Sequence, residues 1–137
     1  MQLLSPAEAK LKREPATLVT AAGQRYEFTI EVAESEQDKA MGLMFRTSIG
    51  EREGMLFPYG EPREITMWMK NTYIPLDMVF IRADGTIHRI EARTEPFSEK
   101  VIASRGNVTA VLEIAGGLAE KLGLKPGDKV VHRAFKP

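Results

Sequence analysis

A strict alternation of apolar and polar residues over residues 26–32 is the feature that most constrains the fold of this chain. Successive side chains of an extended strand point to opposite faces, so this segment gives a sheet one buried and one solvated face. Residues 17–20 form a second strand-like run, and Gly23 lies in the short connection between the two runs. The pattern predicts a hairpin that covers one side of a hydrophobic core.

Further short apolar runs follow, separated by glycine, proline and Asx residues; they lie at residues 55–57, 65–70, 77–82, 86–90, 101–103, 108–114 and 129–132. Asp84 and Gly85 are typical of a tight hairpin turn in which both residues have positive φ. A short helix is predicted between glycines over residues 118–122. We therefore predict an α+β fold, mainly antiparallel β, with a partly closed β-barrel-like sheet and two short helices.

The other predicted helix begins at Ser35, because a serine hydroxyl at the N-cap accepts a hydrogen bond from the first turn. It should run for two to three turns and end at Met44 or Phe45. The residues at helical spacing that should face inward are Ala40, Met41, Met44 and Phe45.

Length and composition indicate one globular domain and exclude several classes of function. The chain has 137 residues, which predicts a flexible N-terminal arm at 1–15 and a single β-rich domain at 16–137. Its 19 basic and 19 acidic residues cancel, so nucleic acid is not an expected partner. The absence of cysteine excludes disulfides and thiolate chemistry. No transmembrane segment is predicted, and no signal peptide is recognised, so the protein is cytoplasmic or an export signal has been removed.

Five ordered motifs resemble one protein family; they are Gly42-Leu43-Met44-Phe45-Arg46, Glu53-Gly54-Met55-Leu56-Phe57, Trp68-Met69-Lys70-Asn71-Thr72, Ile74-Pro75-Leu76-Asp77 and Leu112-Glu113-Ile114. With them, residues 17–131 resemble domain-of-unknown-function family 192. The resemblance implies an exported protein that is periplasmic or secreted, the alternative being cytoplasmic, and it implies no activity. Members often carry a cysteine after a Glu-Pro pair, where this chain has Phe97, so any thiol role is absent here.

Polar residues of different chemistry flank the connection that Pro75 restrains. Lys70, Asn71 and Asp77 could converge on a polar ligand, with Trp68 beside Lys70 on one strand face. In the alternative interpretation, Asp77 and Asn71 satisfy backbone donors of the connection and Lys70 is solvated or paired with Asp77.

Arg46 and Glu113 complete the set of candidate ligand-binding residues. A guanidinium can hold a carboxylate or phosphate through two parallel hydrogen bonds. The alternative for Arg46 is a structural ion pair with Glu53, Glu61 or Glu113. Glu113 could do acid–base chemistry with Asp77 if folding brought the two carboxylates together.

Three functions follow from these residues. The first is a non-enzymatic binding or accessory domain of the cell envelope, with an unknown small polar ligand or an envelope protein as partner. The second is a hydrolase or lyase that uses Asp77 or Glu113 as general base, with Arg46 or Lys70 stabilising an anion. No recognised nucleophile, cofactor or metal motif supports the second, so the first is favoured.

The third function is copper handling through the methionines, because thioethers select Cu(I). The chain has seven methionines, among them Met41 and Met44 on the first helix and Met67 and Met69 on one predicted strand face. The alternative is that they pack in the core, since methionine fills irregular apolar gaps.

Overall fold

The computed structural model describes residues 11–137, which form nine strands and two short helices. In chain order these are β1 (Lys12–Val19), β2 (Arg25–Val32), α1 (Glu36–Met41), β3 (Glu53–Arg63), β4 (Thr66–Met67), β5 (Leu76–Ile81), β6 (Ile87–Glu91), β7 (Ile102–Ala103), β8 (Val108–Ala115), α2 (Leu118–Leu122) and β9 (Lys129–Val131). Neither helix within these residues is long and apolar enough to cross a membrane.

Seven strands form one sheet in the order β6-β5-β8-β3-β2-β1-β9, and β4 and β7 form a small second sheet. An isolated bridge joins Thr86 to Lys129, which lies on the outer strand β9. Beside it, the Val130 N–H donates to the Gly85 C=O at 2.8 Å. The large sheet is therefore nearly closed and barrel-like, and this part of the predicted fold is confirmed.

The expectation of mainly antiparallel pairing holds only in part, because the sheet is mixed. β2 and β3 run parallel, with Thr29 beside Glu53 and Val32 beside Leu56. Parallel neighbours require a crossover connection rather than a hairpin. Residues 33–52, which include α1, provide that crossover and place the helix beside β3.

The core has two apolar clusters on opposite faces of the central strands. The first fills the barrel interior and includes Leu56 of β3, Leu112 of β8 and Leu118 of α2. The second includes Met55 and Phe57 of β3. Because β5 and β8 carry buried residues on both faces, their sequences are nearly continuous apolar runs.

The first strand begins earlier than the sequence indicated. β1 starts at Lys12, so the last part of the predicted arm at 1–15 pairs with β2. The remainder of that predicted arm, residues 1–10, lies outside the described residues. Apolar alternation does not reveal the first half of β1, residues 12–15, because polar side chains there lie at the surface. Glu14, for example, accepts a hydrogen bond from Arg133 at 2.7 Å.

Helix α1 has the predicted N-cap but is shorter than expected. The Ser35 Oγ accepts from the Asp38 N–H at 3.0 Å, which confirms the cap. The helix ends at Met41 because Gly42 has a φ of 48°, and no helical residue is buried. The predicted inward face is therefore wrong: Met41 is 38% and Phe45 is 53% exposed.

Two further local predictions need correction. The strand predicted at 65–70 is limited to Thr66–Met67, so Trp68 and Lys70 lie beyond its end. The hairpin between β5 and β6 forms as expected. However, of its two turn residues only Gly85 has a positive φ, while the Asp84 carboxylate accepts from the Thr86 N–H at 2.9 Å.

Candidate ligand-binding cleft

A cleft of about 250 Å³ lies between α1 and the segment that follows β4. One wall comes from α1 and the turn after it, including Met41 and Met44, and the opposite wall comes from residues 66–72. Glu113 of β8 also lines it, together with Phe57 of β3. Polar and apolar side chains line the cleft in comparable measure, and polar groups that converge beside apolar ones are typical of a small-molecule site.

Gly42 fixes the distance between α1 and the sheet beneath it. Its positive φ turns the chain out of the helix. A β-carbon at this position would lie 3.2 Å from the Phe57 ring, closer than an ordinary van der Waals contact, so glycine allows the closest approach of the backbone to the ring. The turn then places Leu43 in the second apolar cluster, beside Phe57.

Glu113 is the most unusual residue of the cleft. It lies in the apolar strand β8, opposite Met55 and Met78, and is only 4% exposed. Within residues 11–137 its carboxyl group has neither a hydrogen bond nor an ion pair, and burial raises the pKa of Glu113 to about 8. The side chain is therefore mostly protonated at pH 7 and can donate a hydrogen bond to a ligand.

Tyr59 and Lys39 form a second polar group of the cleft. The Tyr59 hydroxyl donates to the Met67 Sδ at 3.7 Å, and the Lys39 Nζ lies 4.6 Å from the centre of the Tyr59 ring. Lys39 also lies 3.5 Å from a Glu36 carboxylate oxygen. Burial raises the pKa of Tyr59, and the charge of nearby Glu113 raises it further.

Trp68 and Lys70 form the opposite rim. The indole is 45% exposed, and the Lys70 Nζ lies 5.1 Å from the ring centre, within cation–π range. The sequence predicted this proximity from a shared strand face. The strand is too short to supply that face, yet the pair forms through the turn that follows β4.

Asp77 does not line the cleft, and its role is structural. It is fully buried and accepts three backbone hydrogen bonds, from Arg93 at 2.8 Å, Gly117 at 2.9 Å and Ala119 at 2.8 Å. The last two donors belong to the start of α2, so the carboxylate anchors that helix to β5. The alternative interpretation is therefore right that Asp77 accepts from backbone donors, but these donors lie at residues 93, 117 and 119 and not in the connection.

Arg46 and Asn71 also lie outside the cleft lining. The Arg46 guanidinium holds both carboxylate oxygens of Glu31, at 2.5 and 2.8 Å. An ion pair was an expected alternative, but its partner is Glu31 rather than Glu53, Glu61 or Glu113. The backbone C=O of Asn71 accepts from the Phe45 N–H at 2.9 Å.

The structure thus brings together three of the six candidate residues: Trp68, Lys70 and Glu113. Sequence reasoning missed Tyr59 and Lys39. Tyr59 follows Phe57 at strand spacing, so the period of two could have placed both on one face. The sequence contains no comparable signal for Lys39, because its position depends on the length of α1.

Four of the five motif segments that carry the family resemblance contribute to the cleft; these are residues 42–46, 53–57, 68–72 and 112–114. The fifth, residues 74–77, contains the Asp77 anchor instead. The family-like part of the sequence therefore builds the cleft and its support.

The fold and the cleft define this chain as a small, barrel-like α+β domain with an open pocket on one face of its sheet. The chain belongs to the DUF192 family, described as "Uncharacterized ACR", whose model matches residues 17–132. No curated protein matches the chain.

Two solved structures are similar over nearly the whole chain. One is a protein of Sinorhizobium meliloti 1021, described as a candidate transcription regulator, with 42% identity and a TM-score of 0.89, covering 91% of this chain and 97% of the other. The second is a protein of unknown function from Novosphingobium aromaticivorans DSM 12444, with 40% identity and a TM-score of 0.84, covering 96% of this chain and 100% of the other.

Proposed function

We propose that this protein is a non-enzymatic binding domain of the cell envelope whose cleft holds a small organic molecule. The observation that carries the proposal is Glu113, a carboxyl group that is buried at the cleft and has no partner within residues 11–137. Because Glu113 lines the cleft, a ligand bound there can form the hydrogen bond that no described protein group provides.

The location in the cell envelope is supported by the family resemblance alone. The alternative is a cytoplasmic protein with the same cleft, and the binding proposal is the same in either compartment.

Binding is better supported than the hydrolase or lyase alternative. Two of the four groups proposed for catalysis are engaged elsewhere: Asp77 by three backbone N–H groups and Arg46 by Glu31. Of that set, Glu113 and Lys70 remain in the cleft. A raised pKa is common at catalytic carboxyl groups, but a ligand-binding acid in an apolar site has the same property.

The description of the Sinorhizobium protein as a candidate regulator does not lead us to propose DNA binding for this chain. Its 19 basic and 19 acidic residues give no excess of positive charge for phosphate contacts. The two helices of residues 11–137 have six and five residues, which is short for reading a major groove.

Trp68 provides a direct test, because it is the only tryptophan and it lines the cleft. We expect at least one of hexanoate, hexanol and hexylamine to change its fluorescence emission saturably. An Ala40→Phe variant should weaken this response at least tenfold, because Ala40 is an exposed residue of the cleft wall and the added ring occupies the cleft.

A Gln37→Phe variant is the matched control, since Gln37 is exposed on the same helix and does not line the cleft. It should bind the probes as the wild type does. Equal binding by the Ala40→Phe and Gln37→Phe variants, or no response to any probe, would contradict the proposal.

Copper handling is a second candidate, because the structure brings three methionines to this one cleft. Met41, Met44 and Met67 line it beside the Trp68 indole. Met69, by contrast, is fully buried and accepts from the Thr94 hydroxyl at 3.1 Å, as core packing predicts. Within residues 11–137, no group of three histidine, aspartate or glutamate side chains is placed to hold a metal.

The copper candidate predicts that the protein binds one equivalent of Cu(I), or of Ag(I) as a stable probe, through these thioethers. Changing Met41, Met44 and Met67 together to leucine should weaken that binding at least 100-fold. Competition titration against a chromogenic chelator measures it. An unchanged affinity in the triple variant would remove this candidate, and a Met69→Leu variant serves as the control.

A further inference from the structure

The charges around the cleft do not cancel. Glu36 and Lys39 form an ion pair at 3.5 Å. The ammonium group of Lys70 lies over the Trp68 ring, and no salt bridge within residues 11–137 includes it. Glu113 carries little charge at pH 7, because burial holds its proton. The cleft therefore has an excess of one positive charge, which favours a ligand with a single negative charge.

The shape and lining of the cleft limit the rest of the ligand. A volume of about 250 Å³ lies near the lower end of the range of small-molecule sites. Met44, Met67 and Phe57 provide apolar contact surface. Such walls stabilise an aliphatic or aromatic chain through buried area.

We propose, on the basis of the binding function above, that the ligand is a small monocarboxylic acid with an apolar chain. Its carboxylate accepts a hydrogen bond from the Glu113 carboxyl group and balances the charge of Lys70. The apolar chain packs against the thioethers and the Phe57 ring. Hydrogen bonds from a neutral acid to a carboxylate are among the short, strong ones.

Two other classes of ligand fit these groups less well. An ammonium ligand would have to ionise Glu113 and approach Lys39 and Lys70, which carry the same charge as the ligand. A phosphate monoester carries about −1.5 to −2 charges at neutral pH, more than the cleft balances. A neutral alcohol satisfies Glu113 but leaves the Lys70 charge without a counterion.

The test compares hexanoate, hexanol and hexylamine, with Trp68 fluorescence as the readout at pH 6.5 and 9.5. We expect hexanoate to bind wild-type protein at least tenfold more tightly than hexanol at pH 6.5. Its affinity should fall by about tenfold per pH unit above pH 8, as Glu113 loses its proton and repels the carboxylate. Tyr59, Lys39, Lys70 and Glu36 are the other ionisable groups of the cleft.

Three variants separate the contributions. In Glu113→Gln the amide still donates but cannot ionise, so hexanoate binding should lose its pH dependence between 6.5 and 9.5. Lys70→Met should weaken hexanoate binding at least threefold relative to hexanol binding by the same variant. Lys100→Met, which alters an exposed lysine outside the cleft, is the matched control and should bind as wild type does.

The outcomes distinguish this inference from the proposed function. Tightest binding by hexylamine with proton release, or equal binding of hexanol and hexanoate, would overturn the carboxylate assignment while leaving a small-molecule site in place. If no probe responds, or if Ala40→Phe binds every probe as well as wild type, both the assignment and the binding function fail.

Discussion

Replacing Asp77 with alanine should lower the free energy of unfolding by at least about 4 kcal/mol, the largest effect we expect from a single substitution. The change removes one buried carboxylate and leaves the N–H groups of Arg93, Gly117 and Ala119 without an acceptor. Hydrogen bonds to a charged acceptor contribute about 1.5–3 kcal/mol each, and the bond from Ala119 is buried while those from Arg93 and Gly117 are part-buried. Because domains of this size are stable by only about 5–15 kcal/mol, the variant should be largely unfolded at modest urea concentrations.

Urea denaturation followed by circular dichroism measures the effect. Asp77→Asn should be intermediate, since its amide oxygen can still accept from Arg93 and Gly117 while its NH₂ faces the Ala119 N–H. Glu99→Ala removes an exposed carboxylate and should change stability by less than about 0.5 kcal/mol. A midpoint for Asp77→Ala as high as that of Glu99→Ala would show that Asp77 is not an anchor.

Replacing Glu113 with glutamine should raise the free energy of unfolding at alkaline pH, an effect opposite in sign to that of Asp77→Ala. The folded-state pKa of Glu113 is about 8, against an ordinary value of 4.5. Between these values the unfolded chain has lost the proton that the folded chain still holds, so stability falls as pH rises through this range. The shift corresponds to about 3–5 kcal/mol, lost in full above pH 8.

Glutamine has the shape of the protonated acid and does not titrate, so this loss should be absent in the Glu113→Gln variant. We expect wild type and variant to agree within about 1 kcal/mol at pH 4, and the variant to be more stable by about 3–5 kcal/mol at pH 9. Urea denaturation at the two pH values gives both numbers. A difference independent of pH would mean that folding does not raise the pKa of Glu113.

The sequence could predict those elements whose signal is local. Alternation over residues 26–32 correctly gives the buried face of β2. Glycines correctly bound α2 at 118–122, and Ser35 correctly starts α1. In each case a residue's effect depends on neighbours a few positions away, through backbone geometry or capping.

Strand order and the roles of the carboxylates depend on distant residues and could not be predicted in the same way. Asp77 and Glu113 look alike in sequence, since each lies in an apolar run. They differ in their surroundings. Asp77 accepts hydrogen bonds from N–H groups that lie 16, 40 and 42 residues further along the chain, whereas Glu113 lines an open cleft. The parallel pairing of β2 with β3 is likewise decided by the path of the crossover.

The closure of the barrel by β9 has a consequence for synthesis on the ribosome. β9 follows every other strand in the chain, yet it pairs with β1 and reaches Thr86 just before β6. While the chain is emerging from the ribosome, the barrel interior that contains Leu18 and Ile87 is therefore open along one side. It closes when Val130 covers that side. The nascent chain exposes an apolar groove for that interval, and such transiently exposed surface is what chaperones bind.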